Sequence, residues 1–322
     1  MKLLITGGAG YIGSHMVRYA QEHGHEVVVL DDFSTGNEWA INNCEVIRVN
    51  LIDKEKLAIL LKGKFFDGVI HFAAKSLVAE SVKKPSLYYQ NNLIGSINLI
   101  DEMIKNDINN LVFSSTAAIF GNPLANKISE NHPKKPINPY GQSKLMIENI
   151  LEDICLSHEF NAICFRYFNA AGAHYTGEIG ESHEPETHLV PNILKSILAN
   201  TNTLKIFGND YPTDDGTCIR DYVHVTDLAQ AHLRGLYKLQ PQKGFTAFNL
   251  GNGDGFSILD VINECEKVSG KNISYDVEAR RDGDPSILVA DNAKAVNELG
   301  WRPQYSNLTD IIRTAWLWHN KY

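Results

Sequence analysis

Cysteine is scarce in this 322-residue chain: Cys44, Cys155, Cys164, Cys218 and Cys265 are odd in number, scattered and free of CxxC spacing. That argues against a disulfide framework and against a thiolate zinc site. Basic charge is in deficit as well, with 30 Lys and Arg against 38 Asp and Glu and a net charge of −8. Without a run of Lys and Arg interleaved with aromatics, non-specific nucleic-acid binding is excluded as a function class. No apolar stretch reaches the roughly 18 residues of a membrane span, so no membrane partner is expected. A strand-like run begins at Lys2, which leaves no room for a signal peptide and sets the expected location as cytoplasmic. Internal repeats, heptads and low-complexity tracts are missing too. The histidines lack HExxH or paired-ligand spacing, and although Glu181, His183, Glu184, Glu186 and His188 crowd one stretch, no metal is expected.

What is present begins at the N-terminus. Lys2-Leu3-Leu4-Ile5-Thr6 reads as a buried strand running into Gly7-Gly8-Ala9-Gly10-Tyr11-Ile12-Gly13, with Gly7, Gly10 and Gly13 at every third position. Such a turn lets backbone approach a pyrophosphate and aims helix N-terminal N–H groups at it. A helix to about His23 and an apolar strand, Val27-Val28-Val29-Leu30, follow, ending in Asp31-Asp32. Asp31 stands where a ribose 2′-hydroxyl would be held, which selects NAD over NADP because a carboxylate repels a 2′-phosphate. Strand patterns recur at 45–49, 68–72, 110–114 and 162–167, with helices expected at 54–62, 85–106 and 139–158. This alternation predicts an α/β fold, a doubly wound parallel sheet with its site at the carboxyl ends of the strands. Beyond Asn169 the pattern loosens, with helices near 189–199 and 259–269. Two domains are expected, residues 1–169 binding the dinucleotide and 170–322 forming a smaller mixed α/β substrate domain, with segments returning to the first.

Tyr140 and Lys144, in Pro139-Tyr140-Gly141-Gln142-Ser143-Lys144, lie four residues apart on one helical face. A phenol becomes a useful base when a nearby ammonium favours its ionised form, so Lys144 is the expected tuner and Tyr140 the base. The strand ending Ser114-Ser115-Thr116 offers a hydroxyl to the same substrate oxygen, and Thr116, Tyr140 and Lys144 make a proton-transfer unit.

With these elements the chain resembles the extended short-chain dehydrogenase/reductase superfamily, of Rossmann type. His71-Phe72-Ala73-Ala74, Tyr88-Tyr89-Gln90-Asn91-Asn92, Arg166-Tyr167-Phe168-Asn169, Ile206-Phe207-Gly208-Asn209-Asp210-Tyr211, Arg220-Asp221-Tyr222-Val223-His224-Val225 and Arg280-Arg281-Asp282-Gly283-Asp284 make it similar to the UDP-glucose 4-epimerases. That resemblance implies a resident NAD, oxidation of a UDP-hexose at C4, rotation of the 4-keto sugar and return of the hydride to its other face. Carried over, it implies cofactor contacts from Gly7, Gly10, Tyr11, Ile12, Gly13, Asp31, Asn50, Leu51, Phe72, Ala73, Ala74, Asn91, Ser114, Tyr140, Lys144 and Tyr167. It places Thr116, Tyr140, Asn169, His188, Leu189, Phe207, Arg220, Tyr222, Arg281, Asp284 and Leu288 around the UDP-sugar. Arg220 and Arg281 would offer bidentate donors to a diphosphate, Phe207 a face to uracil and Asp284 an acceptor to ribose. A homodimer built on the 85–106 and 139–158 helices is implied by the same analogy.

The chain departs from the family pattern in three places. Lys75 sits one residue early, with Ser76 in the place of the usual lysine; Asn50 replaces an Asp beside adenine; and His188 replaces an Asn beside the phosphates. A 4,6-dehydratase needs an acid pair after Thr116, where this chain has Ala117-Ala118. A 4-epimerase of UDP-xylose or a UDP-hexuronate stays open, as does a non-catalytic NAD sensor, which turnover would separate from an enzyme.

Overall fold

The computed structural model describes residues 1–41, 43–201, 204–240, 243–281 and 284–321. Asp282 and Gly283 of the arginine-rich motif lie outside the described residues.

Seven parallel strands form the main sheet, in the order Gly244–Leu250, Asn161–Tyr167, Asn110–Thr116, Gly68–His71, Lys2–Thr6, Glu26–Asp31, Glu45–Arg48. The central strands bury both faces because their apolar runs are continuous. Leu3, Ile5, Val27 and Val29 enter one core, while Leu4, Val28 and Leu30 enter the other. The first strand pairs with Glu26–Asp31 on one side and Gly68–His71 on the other. Strand order therefore reverses at the first strand, and the crevice over that reversal is where a doubly wound sheet binds ligands.

The chain does not divide its elements in simple sequence order. The Gly244–Leu250 strand pairs in parallel with Asn161–Tyr167 and closes one edge of the main sheet. The Val225–Leu239 helix contributes Leu228, Leu233 and Leu236 to the core that also holds Met16 and Val17 of the Tyr11–Glu22 helix. A smaller sheet, ordered Phe256–Ser257, Ile219–Arg220, Ile287–Ala290, Lys127–Ile128, borrows its last strand from the first half of the chain. Two parallel pairs, Asn169–Ala171 with Tyr222–His224 and Leu204–Phe207 with Tyr275–Glu278, complete the substructure. The helices Leu189–Ala199, Ile258–Ser269 and Leu308–His319 share a separate apolar core.

The single helix read over 85–106 is interrupted. Pro85–Tyr88 passes into a π-helical turn, Tyr89–Ile94, before Gly95–Lys105 resumes the α-helix. Apolar periodicity cannot register one widened turn, and here the widening serves Asn92: its amide accepts from the Lys75 N–H at 2.8 Å and donates to the Lys75 carbonyl at 3.0 Å. No helix among the described residues is long and apolar enough to cross a membrane.

Candidate active site

The glycine turn is a cradle because side chains cannot enter it. Gly7 has φ +69°, and a Cβ there would meet Ala73 N at 2.5 Å; a Cβ on Gly13 would meet the Gly7 carbonyl oxygen at 2.0 Å. This close packing of the Tyr11–Glu22 helix on the first strand opens a cavity lined by Gly7, Gly10, Asp31, Asn50, Leu51, Phe72, Ala73, Ala74 and Asn91. Asp31 accepts from the N–H groups of Ala9 and Phe33 at 2.9 and 2.8 Å. Burial raises its pKa and these backbone bonds oppose the rise. Each carboxylate oxygen retains a lone pair for a ribose hydroxyl. The residues present fit a dinucleotide. Asn50 is less available to adenine than the sequence suggested: its carbonyl accepts from Ile52 N–H at 2.9 Å and its amide donates to Asp32 at 2.6 Å.

A second cavity shares Gly7, Gly10, Phe72 and Ala74 with the first and reaches Tyr11, Ile12, Gly13, Ser114, Thr116, Tyr140, Lys144, Tyr167, Asn169, His188 and Leu288. The alternation of the Asn110–Thr116 strand explains part of this, since Ser114 and Thr116 face the cavity while Ser115 turns away to donate to Glu148 at 2.5 Å. Helix Pro139–Ser157 starts at the Asn138 cap, whose side chain accepts from Gly141 N–H, with Pro at the first helical position. That start fixes where Tyr140 and Lys144 project. Tyr140 hydrogen-bonds Thr116, and the Ser114 and Tyr167 hydroxyls bond to each other. Lys144 is 2 % exposed, donates to the Ser114 carbonyl at 2.7 Å and lies 4.6 Å from the Phe113 ring centroid.

The proton balance of this group differs from the simple tuning read from spacing. Burial raises the Tyr140 phenol and the bond to Thr116 lowers it, while burial drives Lys144 down to about 7. Burial thus opposes the ammonium charge at Lys144, and Thr116 is the group bonded to the phenol.

A third cavity shares Asn169 and His188 with the second and is lined by Leu189, Phe207, Arg220, Tyr222, Arg281 and Asp284. Its two arginines already have partners. Arg220 pairs closely with Asp284, and the Arg281 guanidinium lies 3.9 Å from the Phe207 ring centroid. Each arginine thus has a partner that an incoming anion or ring would have to share or displace. Leu288 stands beside Arg220 in the strand register and on the wall of the second cavity. Lys75, one residue early against the family pattern, lines the dinucleotide cavity.

Residues 3–251 match the NAD dependent epimerase/dehydratase family. The chain belongs to that family. It is 45% identical over 322 residues to the UDP-glucose 4-epimerase of Halalkalibacterium halodurans, covering 100% of this chain and 96% of the relative. Among solved structures it is similar to the Brucella ovis UDP-glucose 4-epimerase in complex with NAD, at TM-score 0.95 and 41% identity, over 98% of this chain and 97% of that one. It is also similar to the UDP-Glc/GlcNAc 4-epimerase of Campylobacter jejuni, at TM-score 0.87 and 40% identity, over 100% of this chain and 99% of that one.

Two features of this family member were not foreseen. The first is the ion pair behind the Pro139–Ser157 helix: Arg166 Nη2 meets Glu148 Oε2 at 2.7 Å, with both side chains under 4 % exposed. Glu148 lies four residues beyond Lys144 on one helical face, a spacing that carried the signal. The second is the loop before the Leu189–Ala199 helix, which brings Glu181, His183, Glu186 and His188 together. The nearby Glu181 and Glu186 carboxylates draw His183 up to about 9. Burial lowers His188, yet the same two carboxylates carry it up to about 10. The sequence shows the crowding but not the convergence, because no regular element sets the spacing.

Proposed function

We propose that the chain is an NAD-dependent UDP-hexose 4-epimerase that interconverts UDP-glucose and UDP-galactose through a 4-keto sugar. The observation that carries this reading is the position of Thr116, Tyr140 and Lys144 in one cavity that adjoins the glycine cradle on one side and the arginine-lined pocket on the other. NAD, when bound, would supply reversible hydride acceptance. Tyr140 takes the C4 hydroxyl proton and later returns it; Thr116, already bonded to Tyr140, orients the same oxygen. Lys144, anchored on the Ser114 carbonyl, presents its remaining N–H donors to ribose and phenol. Arg220, Arg281 and Asp284 hold the nucleotide, which lets the sugar ring turn over while the rest of the substrate stays anchored. Dehydration is disfavoured because Ala117 and Ala118 line the cavity where an acid pair would be required. Incubation with UDP-galactose and no added reductant tests the reading. UDP-glucose is the expected product, and an unchanged substrate pool overturns it.

The cofactor is expected to leave purification with the protein, since it is regenerated in each turnover. Denaturation should release NAD, and NADP in the supernatant would contradict the role given to Asp31.

Leu288 bears on substrate breadth. It is an aliphatic wall residue beside Arg220, shorter than a Tyr and without its hydroxyl. We expect slow epimerisation of UDP-N-acetylglucosamine, with Leu288→Tyr reducing that reaction by roughly 10–200-fold and the hexose reaction little. Comparable losses in both kcat/KM values would remove Leu288 from this role. The homodimer is part of the same proposal: Ile94, within the 85–106 segment, and Leu156, on the Tyr140 helix, are exposed apolar residues available to a second copy. Light scattering should return twice the mass of one chain. The activity also suits a cytoplasmic location, where NAD and nucleotide sugars meet.

A further inference from the structure

The loop that joins the Asn169–Ala171 strand to the Leu189–Ala199 helix gathers one donor atom each from Glu181, His183, Glu186 and His188, all within 4.8 Å of one another. His183 Nδ1 stands 3.1 Å from Glu181 Oε1 and 3.8 Å from Glu186 Oε1. His188 Nδ1 stands 2.5 Å and 3.5 Å from the same two oxygens. These are ion-pair distances, yet Glu181 Oε1 and His183 Nδ1 are buried without an aligned hydrogen bond. Glu181 is 3 % exposed, so solvent does not supply the missing partner. Donor atoms that approach closely without aiming at one another converge instead on a shared point.

Simple geometry identifies what that point suits. Four ligands at 2.0–2.1 Å around a tetrahedral ion are separated by about 3.3–3.4 Å. The four nitrogen–oxygen separations, from 2.5 to 3.8 Å, straddle that edge length. Two imidazole nitrogens with two carboxylate oxygens form a donor set for zinc, whereas calcium and magnesium call for more oxygens. Outer support is in place too, since the N–H groups of Thr187 and His188 donate to Glu186 Oε1 at 2.8 and 3.0 Å and fix its carboxylate. Lys195 Nζ, 3.6 Å from Glu186 Oε2, offsets only part of the double negative charge.

We propose that Glu181, His183, Glu186 and His188 bind one Zn²⁺ as a closed four-ligand site. Four protein ligands leave no open position, so the ion pins the loop to the start of the Leu189–Ala199 helix and performs no chemistry. His188 is the link to the substrate. Its Nδ1 is committed to the metal and its Nε2 remains for a substrate oxygen in the two cavities it lines.

The test uses the full-length protein, stripped with chelator and reloaded with Zn²⁺ or Co²⁺, then desalted and assayed for metal per chain. One equivalent of zinc and the visible absorption of tetrahedral Co²⁺ are expected. His183→Gln and Glu181→Gln should each weaken zinc binding by at least about tenfold. Glu184→Gln, a neighbour outside the cluster, should leave it unchanged. Circular dichroism and melting of each variant without metal separate lost ligation from lost folding, and zinc should raise the melting point of the wild type but not of a folded His183→Gln. The proposal is overturned by a wild type that keeps no zinc at micromolar concentration, by an octahedral Co²⁺ spectrum, or by equal retention in folded ligand variants.

Discussion

Tyr140→Phe is expected to bind NAD and UDP-sugars as well as the parent chain and to lose turnover by about 10²–10⁴-fold, the usual contribution of a positioned acid or base. The substitution removes one oxygen and keeps the ring, so packing in the cavity shared with Lys144 and Thr116 changes little. Its effect should fall on kcat, because proton removal from the C4 hydroxyl belongs to the chemical step. The environment makes the loss hard to repair. Burial holds the Tyr140 phenol up and Thr116 lowers it, and a Thr116 hydroxyl alone is far too weak a base to substitute. Steady-state kinetics with UDP-galactose, alongside titration with UDP, separates the two effects. A Phe variant with more than about a tenth of wild-type kcat would transfer the role to another group.

The sheet and its ligand edge were readable from the chain because their cause is local. Val27–Leu30 is apolar without interruption and is buried on both faces, and the three glycines are demanded by contacts as short as 2.0 Å. Pairings between distant segments were not readable. Gly244–Leu250 closes the main sheet by pairing with residues more than 80 positions earlier, a choice set by tertiary fit and not by its own pattern. The same limit applies to the site. Spacing placed Tyr140 and Lys144 on one face, but it could not show that burial would bring Lys144 down to about 7 and weaken it as a charge. Nor could composition show that Arg220 meets Asp284, or that Arg281 covers Phe207, because mutual satisfaction of charged groups depends on loops folding back over one another.

Glu148→Ala is the substitution expected to cost most in stability, about 3–5 kcal/mol, because it leaves a buried guanidinium without its counter-charge. Arg166 is 3 % exposed and contacts Glu148 through both Nε and Nη2, at 3.0, 3.2 and 2.7 Å. The carboxylate also accepts from Ser115, so one side chain ties the helix carrying Tyr140 and Lys144 to two central strands. Loss of that tie should lower activity as well as the midpoint of denaturation, since Ser114 and Thr116 flank Ser115 on the same strand. A second variant separates charge from shape. Glu148→Leu combined with Arg166→Met removes both charges together and should recover much of the stability, because a matched apolar pair avoids the desolvation of an unpaired ion. Activity should recover less, since nothing in the double variant holds the register between Ser115 and the helix. Urea melts and UDP-galactose turnover measured on both variants decide the matter. A single variant destabilised by under about 1 kcal/mol would mean that Arg166 finds adequate compensation elsewhere, for which the Glu130 carbonyl, 3.1 Å from its Nη1, is the nearest candidate.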